Sequence, residues 1–257
     1  MDEELKILVA APIFDGMRYC MDKFVDRIKS LDYDGYDILL VDNSKSDLFS
    51  EEVRKKHNVN IMYLTLDIPN MEKIIQSRNR ILEYAIEESY DHILMMDCDV
   101  IPPKDIIEKL LSHKKDIVSG LYYGFFGPKG KEKKESVAWK TPTEEELEEI
   151  RVRAPGFLKA HPNLRRHLTD EEIESGSLQE VIIPSAGCML ISRNVFEKIR
   201  YGLLDVSGHL TSDDIFFCKK AREAGFKLYC DPTIKCEHLI HGKFKKEGSD
   251  LVHPAFE

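Results

Sequence analysis

No run of apolar residues in this 257-residue sequence approaches the roughly 18 that a membrane-spanning helix needs, so no transmembrane segment is expected. The opening MDEELKILVA has no cationic stretch ahead of an apolar one, and no secretory signal is expected there. Closely spaced cysteine pairs are missing too. The six cysteines, at positions 20, 98, 188, 218, 230 and 236, include no C-x-x-C, which argues against a zinc knuckle and for reduced thiols in a cytoplasmic protein. Positive charge is in deficit: 37 Lys and Arg face 46 Asp and Glu, a net charge of −9. A general nucleic-acid binder would show the opposite balance on one face. There is no internal repeat and only one tryptophan, Trp139.

What is there is 42% hydrophobic residues, enough for a sizeable core, with short apolar runs alternating with amphipathic stretches. The runs at 6–14, 36–43, 59–66, 92–97 and 116–124 read as strands. Between them, NMEKIIQSRNRILEYAIEE places Ile74, Ile75, Ile81, Leu82, Ala85 and Ile86 on one helical face, and PPKDIIEKLLSHK starts with proline and keeps a similar period. Strands that are apolar throughout and separated by helices predict an α/β fold, with a parallel sheet covered on both faces. The pattern breaks at 127–180, which is charged, contains prolines and lacks a sustained apolar period. That stretch is expected to be an insertion of short helices and mobile loops, not a second domain. Regularity returns with VIIPSAGCMLIS (181–192), RNVFEKI, SDDIFFCKKAREAG and the strand-like FKLYCDPTIKCEHL.

One stretch needs a chemical reason. In HILMMDCDVIPP an apolar run ends on Asp97 and Asp99, two like charges one residue apart. Ligands of open α/β sheets bind beyond the carboxyl ends of strands, and residues i and i+2 of a strand face one side. Two carboxylates so placed repel unless a proton or cation separates them, and a hard divalent ion, Mg²⁺ or Mn²⁺, suits their oxygens. Such an ion would hold a phosphate or diphosphate. A plain polar turn explains the same pair without chemistry. Two metal-dependent chemistries use this place. A haloacid-dehalogenase-type phosphatase would use Asp97 of DCDVI as nucleophile, although that motif usually lies on a first strand and three strands precede it here. A nucleotide-sugar glycosyltransferase has a complete nucleotide-binding half before its D-x-D.

Five segments in order favour the second. ILVAAPIFDG, ILLVDNS, SRNRILEYA, SAGCMLISRNVFEKI and SDDIFFCKKAREAGFKLYCDPTIKCEHL resemble the motifs of glycosyltransferase family 2 and its relatives, across most of the chain outside 127–180. The resemblance implies a GT-A fold, a Rossmann-like mixed, mostly parallel sheet with helices on both faces. It implies a single domain, with a nucleotide-binding half at 1–124 and an acceptor-binding half at 181–257. The activity implied is a metal-dependent, inverting hexosyl transfer from a UDP- or GDP-sugar to a hydroxyl of a glycan, lipid-linked or small-molecule acceptor. By position in the motifs, Pro12 and Asp15 border the nucleotide, Asp42 contacts the base, and Arg78 lies near the nucleotide and the acidic pair. Asp97, Asp99 and His238 would hold Mn²⁺ or Mg²⁺, Asp214 would be the general base, and Asp213 would orient the acceptor. The chain departs from the family at Asp213, where Glu is frequent, and at Phe216, where Asp is frequent; both bear on the acceptor pocket.

Each residue also has a plainer reading. Asp42 sits in good turn chemistry, Asp15 could cap a helix, and Arg78 could be a solvated helix residue. Ser212, Asp213 and Asp214 make a favourable helix start. His238 could be a buried structural histidine, with His241 able to replace it as a ligand, and Lys243, Lys245 and Lys246 could be a lid or a solvated tail. Trp139 reads as an anchor of the insertion before it reads as a sugar platform, and Gly187 as either a close backbone approach or a packing glycine. Two further rivals stand. A nucleotidyltransferase would need a glycine-rich N-terminal loop that the sequence lacks, and a non-catalytic nucleotide-sugar binder would keep Asp97 and Asp99.

Overall fold

The computed structural model describes residues 5–240 except Lys129, Pro162, Leu204, Ser207, Gly208 and Thr211, so His241, Lys243, Lys245 and Lys246 lie outside the described residues. The alternating apolar runs become the strands β1 (Ile7–Ile13), β2 (Tyr36–Asp42), β3 (Ile61–Tyr63), β4 (His92–Met96), β5 (Ile117–Leu121), β6 (Gln179–Val181), β7 (Cys188–Ser192) and β8 (Leu228–Lys235). They form one sheet in the order β6-β8-β5-β7-β4-β1-β2-β3. The strands β4, β1, β2 and β3 are parallel, as are β8 and β5, whereas β7 runs antiparallel between β4 and β5, and β6 is an antiparallel edge. The sheet is mixed and mostly parallel, with helices around it.

Side-chain alternation along β1 shows why both faces are covered. Ile7, Val9, Ala11 and Ile13 point into a core with Phe24 and Ile28 of α1 (Arg18–Ile28), Phe49 of α2 (Leu48–His57) and Leu110 of α4 (Ile106–Ser112). Leu8 and Ala10 point the other way, against Ile75, Ile81, Leu82 and Ala85 of α3 (Asn70–Glu87). That second core also holds Phe217 and Ala221 of a later helix, Asp213–Glu223. Fully burying such a side chain contributes about 1.5–3 kcal/mol. On α3, Ile74 and Ile86 are only half-buried, while Arg78 lies on the buried face, three residues after Ile75 and four before Leu82.

The D-x-D departs from the expected strand geometry. β4 stops at Met96, the Val100 N–H closes a turn on the Asp97 carbonyl at 3.0 Å, and the chain re-extends as Val100–Ile101. The two carboxylates therefore sit in a turn, not on one strand face, and they diverge to different partners. Val100–Ile101 pairs antiparallel with Glu237–His238, which carries His238 to the same turn.

The 127–180 stretch is anchored to the sheet. A hairpin of Tyr123–Phe126 with Lys133–Ser136 begins ahead of it, and its last residues already belong to β6. Trp139–Lys140 pairs with Arg166–His167, and the Trp139 N–H bonds to the Ile183 carbonyl at 2.8 Å. Trp139 packs between His167 and Phe126, so it fastens this segment in place. Helix α5 (Glu144–Arg153) begins with a capping box between Thr143 and Glu146. The six cysteines are buried and free, and among the described residues no helix is long and apolar enough to cross a membrane.

Candidate active site

Beyond the carboxyl ends of β1 and β2 lies a cavity of about 370 Å³, lined by Phe14, Asp15, Ser44, Lys45, Lys73 and neighbouring residues. The Asp15 N–H bonds to Ser44 Oγ at 2.8 Å, tying the loop after β1 to the loop after β2. Asp15 does not cap the helix that follows it; the residue before that turn is Phe14, and the Asp15 side chain is exposed at the cavity. Pro12 is half-buried within β1, opposite Val41. Asp42 is placed differently from what a base contact requires. It is 0% exposed, and its carboxylate accepts from the Ser44 N–H at 2.9 Å, from Ser44 Oγ at 2.5 Å and from Ser50 Oγ. In this conformation Asp42 shapes the loop that presents Ser44 and Lys45, and does not itself reach the cavity.

Arg78 joins the turn after β4 to the start of the helix Asp213–Glu223. Its guanidinium, 6% exposed, donates from Nη2 to Asp97 Oδ1 at 2.7 Å and lies 3.2 Å through Nε from Asp213 Oδ2. Burial opposes the charge on Arg78, but Asp97 and Asp213 raise its pKa well above the ordinary value. Burial pushes the Asp97 carboxyl up to about 6 against the pull of Arg78, with Asp99, Asp213 and Asp214 adding to the rise. Arg78 Nε and Nη1, Asp213 Oδ2 and the Tyr201 hydroxyl are buried without a hydrogen-bond partner, and Arg78 lies over the Tyr201 ring, 5.2 Å from its centroid. This concentration of unmet polar capacity sits where a polar ligand or ordered water would satisfy it.

Asp99 turns the other way. Its Oδ2 lies 3.5 Å from His238 Nε2 and 3.4 Å from the Tyr19 hydroxyl. His238 Nδ1 contacts the Tyr123 carbonyl at 2.9 Å; a carbonyl only accepts, so Nδ1 carries hydrogen and Nε2 faces the carboxylate. Burial works against a charged His238, yet the hydrogen bond and charge of Asp99 raise its pKa. An imidazole nitrogen and a carboxylate oxygen facing one another suit a shared proton or divalent cation. Both line a cavity of about 280 Å³ with Asp97, Tyr122, Phe126 and Val137. The expected metal set, Asp97, Asp99 and His238, lines this one cavity. Among the described residues no three His, Cys, Asp or Glu side chains are gathered to hold a metal, and Asp97 Oδ1 is bound to Arg78. Asp99 and His238 remain as a fitting pair.

The helix α6 (Asp213–Glu223) brings the remaining acids. Ser212 is its N-cap residue, but its hydroxyl does not cap the helix; it donates to Asp214 Oδ1, which also accepts from the Ile215 N–H at 2.7 Å. Asp213 is buried against Arg78, while Asp214 is half-buried. The structure thus separates a buried structural acid from a more accessible one.

Gly187 closes the site from β7. Its carbonyl accepts from the Asp97 N–H at 2.9 Å, its own N–H donates to the Tyr122 hydroxyl at 3.1 Å, and a Cβ there would fall 2.6 Å from Asp97 Oδ2. Gly187→Ala is therefore expected to displace the Asp97 carboxylate and lower stability by about 1–3 kcal/mol, the usual cost of overpacking. Urea unfolding beside nucleotide calorimetry checks this; an unchanged midpoint with unchanged binding would contradict it. Tyr19, Tyr122, Tyr201 and Ser50 were not recognised from sequence. Only Tyr122 had a local signal, a tyrosine pair at the end of an apolar strand.

Comparisons with known proteins bear on the fold and the family. No curated protein sequence matches the chain. Among solved structures it is similar to GalNAc-T7 with UDP, GalNAc and Mn²⁺, with a TM-score of 0.60 and 14% identity over 93% of this chain and 44% of that one. It is similar to the mannosyltransferase PcManGT from Pyrobaculum calidifontis in complex with GDP-Man and Mn²⁺, with a TM-score of 0.55 and 12% identity over 94% and 59% of the two chains. S. aureus TarS 1-349 gives a TM-score of 0.52 and 14% identity over 90% and 59%. The chain thus spans about half the length of these structures, and at such identities the likeness is one of fold, the GT-A fold. The model of glycosyl transferase family 2 matches residues 18–200, well over half the sequence, and the chain belongs to that family.

Proposed function

We propose that this protein transfers a hexosyl group from a nucleoside-diphosphate sugar to an acceptor hydroxyl, with Mn²⁺ or Mg²⁺ bound by Asp99 and His238. The observation that carries the reading is the pair of lone-pair atoms, Asp99 Oδ2 and His238 Nε2, facing each other across 3.5 Å in a cavity beside the carboxyl end of β4. GT-A structures of similar fold contain UDP or GDP-mannose together with Mn²⁺, which supports a nucleotide-sugar donor. A bound cation neutralises charge on a departing diphosphate. The other groups are the chain's own. Asp15, Ser44, Lys45 and Lys73 line the cavity proposed for the nucleoside, and Asp42 holds the Ser44 loop in shape. Arg78 holds Asp97 at the edge of the diphosphate site and ties it to Asp213, which makes Asp213 a positioning residue for α6. Asp214 takes the proton of the acceptor hydroxyl as it attacks the anomeric carbon from the face opposite the leaving group, which inverts the configuration. The acceptor is a glycan, a lipid-linked sugar or a small molecule.

A phosphatase reading has little support. Its nucleophile would be Asp97, and one oxygen of that carboxylate is bound to a buried arginine. The decisive experiment is thermal unfolding with UDP, GDP and their sugars, with and without Mn²⁺. Binding at 100 times Kd stabilises by about 2.7 kcal/mol, which is readily visible as a rise in Tm. The proposal expects a rise only when nucleotide and cation are both present. Equal binding with a chelator, or none with any nucleotide, would overturn it.

A further inference from the structure

The most exposed large apolar side chain among the described residues is Val152, at 73%, and Phe157, at 41%, lies just across the turn that ends α5. Helix α5 buries none of its residues. Its chain reverses through Ala154 and the left-handed Gly156, φ 88°, into the short helix Phe157–Ala160, and the Phe157 N–H closes the turn on the Ala154 carbonyl at 3.0 Å. Residues 151–159 are exposed throughout, apart from half-buried Leu158. The result is a built tip that shows apolar side chains to water.

Its charge is equally unusual for this chain. Positions 150–169 contain no Asp or Glu, although the sequence has 46, and they contain Arg151, Arg153, Lys159, Arg165 and Arg166. Arg166 is engaged by Glu146 and Glu172. Arg151 and Arg153 make exposed pairs, Arg151 with Glu148 at 2.8 Å and Glu144 at 4.0 Å and Arg153 with Glu149 at 3.5 Å, of a kind that solvent and other anions readily exchange. Apolar side chains that can enter a headgroup layer, flanked by cations that can meet its negative charge, are the makings of an interfacial anchor.

We infer that the tip at residues 151–159 attaches this protein to an anionic lipid surface. A protein partner fits less well. Two prominent apolar side chains offer far less than the roughly 800 Å² per partner of a stable interface, and the hollow beside Val152 and Arg153 is walled by Glu145, Glu148 and Glu149, so it offers no apolar groove to receive one. The direction of approach follows from the acids. Glu144, Glu145, Glu148 and Glu149 lie on the preceding turns of α5, so a helix lying flat would press them against like charge. The tip must enter end-on, with α5 standing away from the surface. The net charge of −9 repels the rest of the molecule from such a surface, which makes attachment depend on the tip and on salt.

The test is co-sedimentation of the full chain with vesicles of phosphatidylcholine alone and of equimolar phosphatidylcholine and phosphatidylglycerol. Binding to the mixed vesicles, weak binding to the neutral ones, and loss at high salt are expected. The double variant Val152→Asp with Phe157→Asp should lose at least tenfold in partitioning, and Arg153→Gln with Lys159→Gln should lose part of it. All four positions are exposed, so the variants should unfold at the wild-type temperature, which separates attachment from folding. The inference is overturned if the wild type stays in solution with anionic vesicles at low salt. It is equally overturned if neutral vesicles bind as well, or if the aspartate variant binds like the wild type.

Discussion

Asp99→Ala is expected to abolish the divalent-dependent part of nucleoside-diphosphate binding while leaving the fold intact. The fold should survive because Asp99 makes few strong bonds. Its partners, Tyr19 and His238, lie at 3.4 and 3.5 Å, and the backbone of the turn is held by other groups, including the Leu239 N–H on the Asp99 carbonyl at 2.7 Å. Binding should not survive. Removing the carboxylate leaves His238 as a lone neutral ligand, and Asp97 cannot easily replace Asp99 while Arg78 occupies its Oδ1. Loss of even an outer partner of a metal ligand typically costs 10–100-fold in affinity, so loss of the ligand itself should cost about 100-fold or more. Asp97→Ala makes an instructive contrast. It would strip a buried arginine of its shortest ion pair, a change that typically destabilises by about 3–5 kcal/mol. Calorimetry of UDP and GDP with Mn²⁺, beside urea unfolding of both variants, reads the two effects separately. An Asp99→Ala protein that bound nucleotide with wild-type, metal-dependent affinity would remove Asp99 from the cation site.

The parts of the fold that were legible in the sequence are those whose periodicity has one solution. β1 and the central runs of β2 (38–41) and β4 (93–96) are apolar because both faces are covered, and α3 showed its core stripe. Strand direction was not legible in the same way. The run that becomes β7 is as apolar as β4, and nothing in its composition says that it enters the sheet antiparallel between β4 and β5. At the site, Arg78 could have been read more sharply. A charged residue within the apolar stripe of Ile75 and Leu82 must have partners, and here they are Asp97 and Asp213. Asp42 was ambiguous for a physical reason: D-N-S has the same form whether the carboxylate meets a ligand or hydrogen-bonds the serine of its own loop, and the second arrangement is the one present. The partners from distant segments, Tyr19 on α1, Ser50 on α2 and Tyr201 ahead of α6, are brought in by tertiary packing and leave no local trace.

Asp214→Asn is expected to separate binding from chemistry. Asp214 Oδ1 accepts from the Ser212 hydroxyl and from the Ile215 N–H, and neither bond uses Oδ2. An asparagine oxygen at the Oδ1 position can accept both, so the start of α6 should be kept. The amide that replaces Oδ2 has no basic lone pair and cannot take a proton from the acceptor hydroxyl. Transfer should then fall by about 10²–10⁴, the usual worth of a positioned general base. Donor affinity should stay near wild type, because the groups proposed to hold nucleotide and cation are Asp99, His238 and the residues around Ser44. Asp213→Asn should behave differently. Asp213 is buried beside Arg78 Nε at 3.2 Å, so removing its charge leaves the guanidinium short of a counter-ion and should lower stability as well as turnover. Transfer rate measured beside donor calorimetry and unfolding distinguishes the two, with donor hydrolysis as the readout until an acceptor is identified. Normal turnover by Asp214→Asn would make Asp214 only a helix-start residue. The base would then have to be Asp213, and Asp213→Asn, refolded and stable enough to bind donor, would be the inactive variant instead.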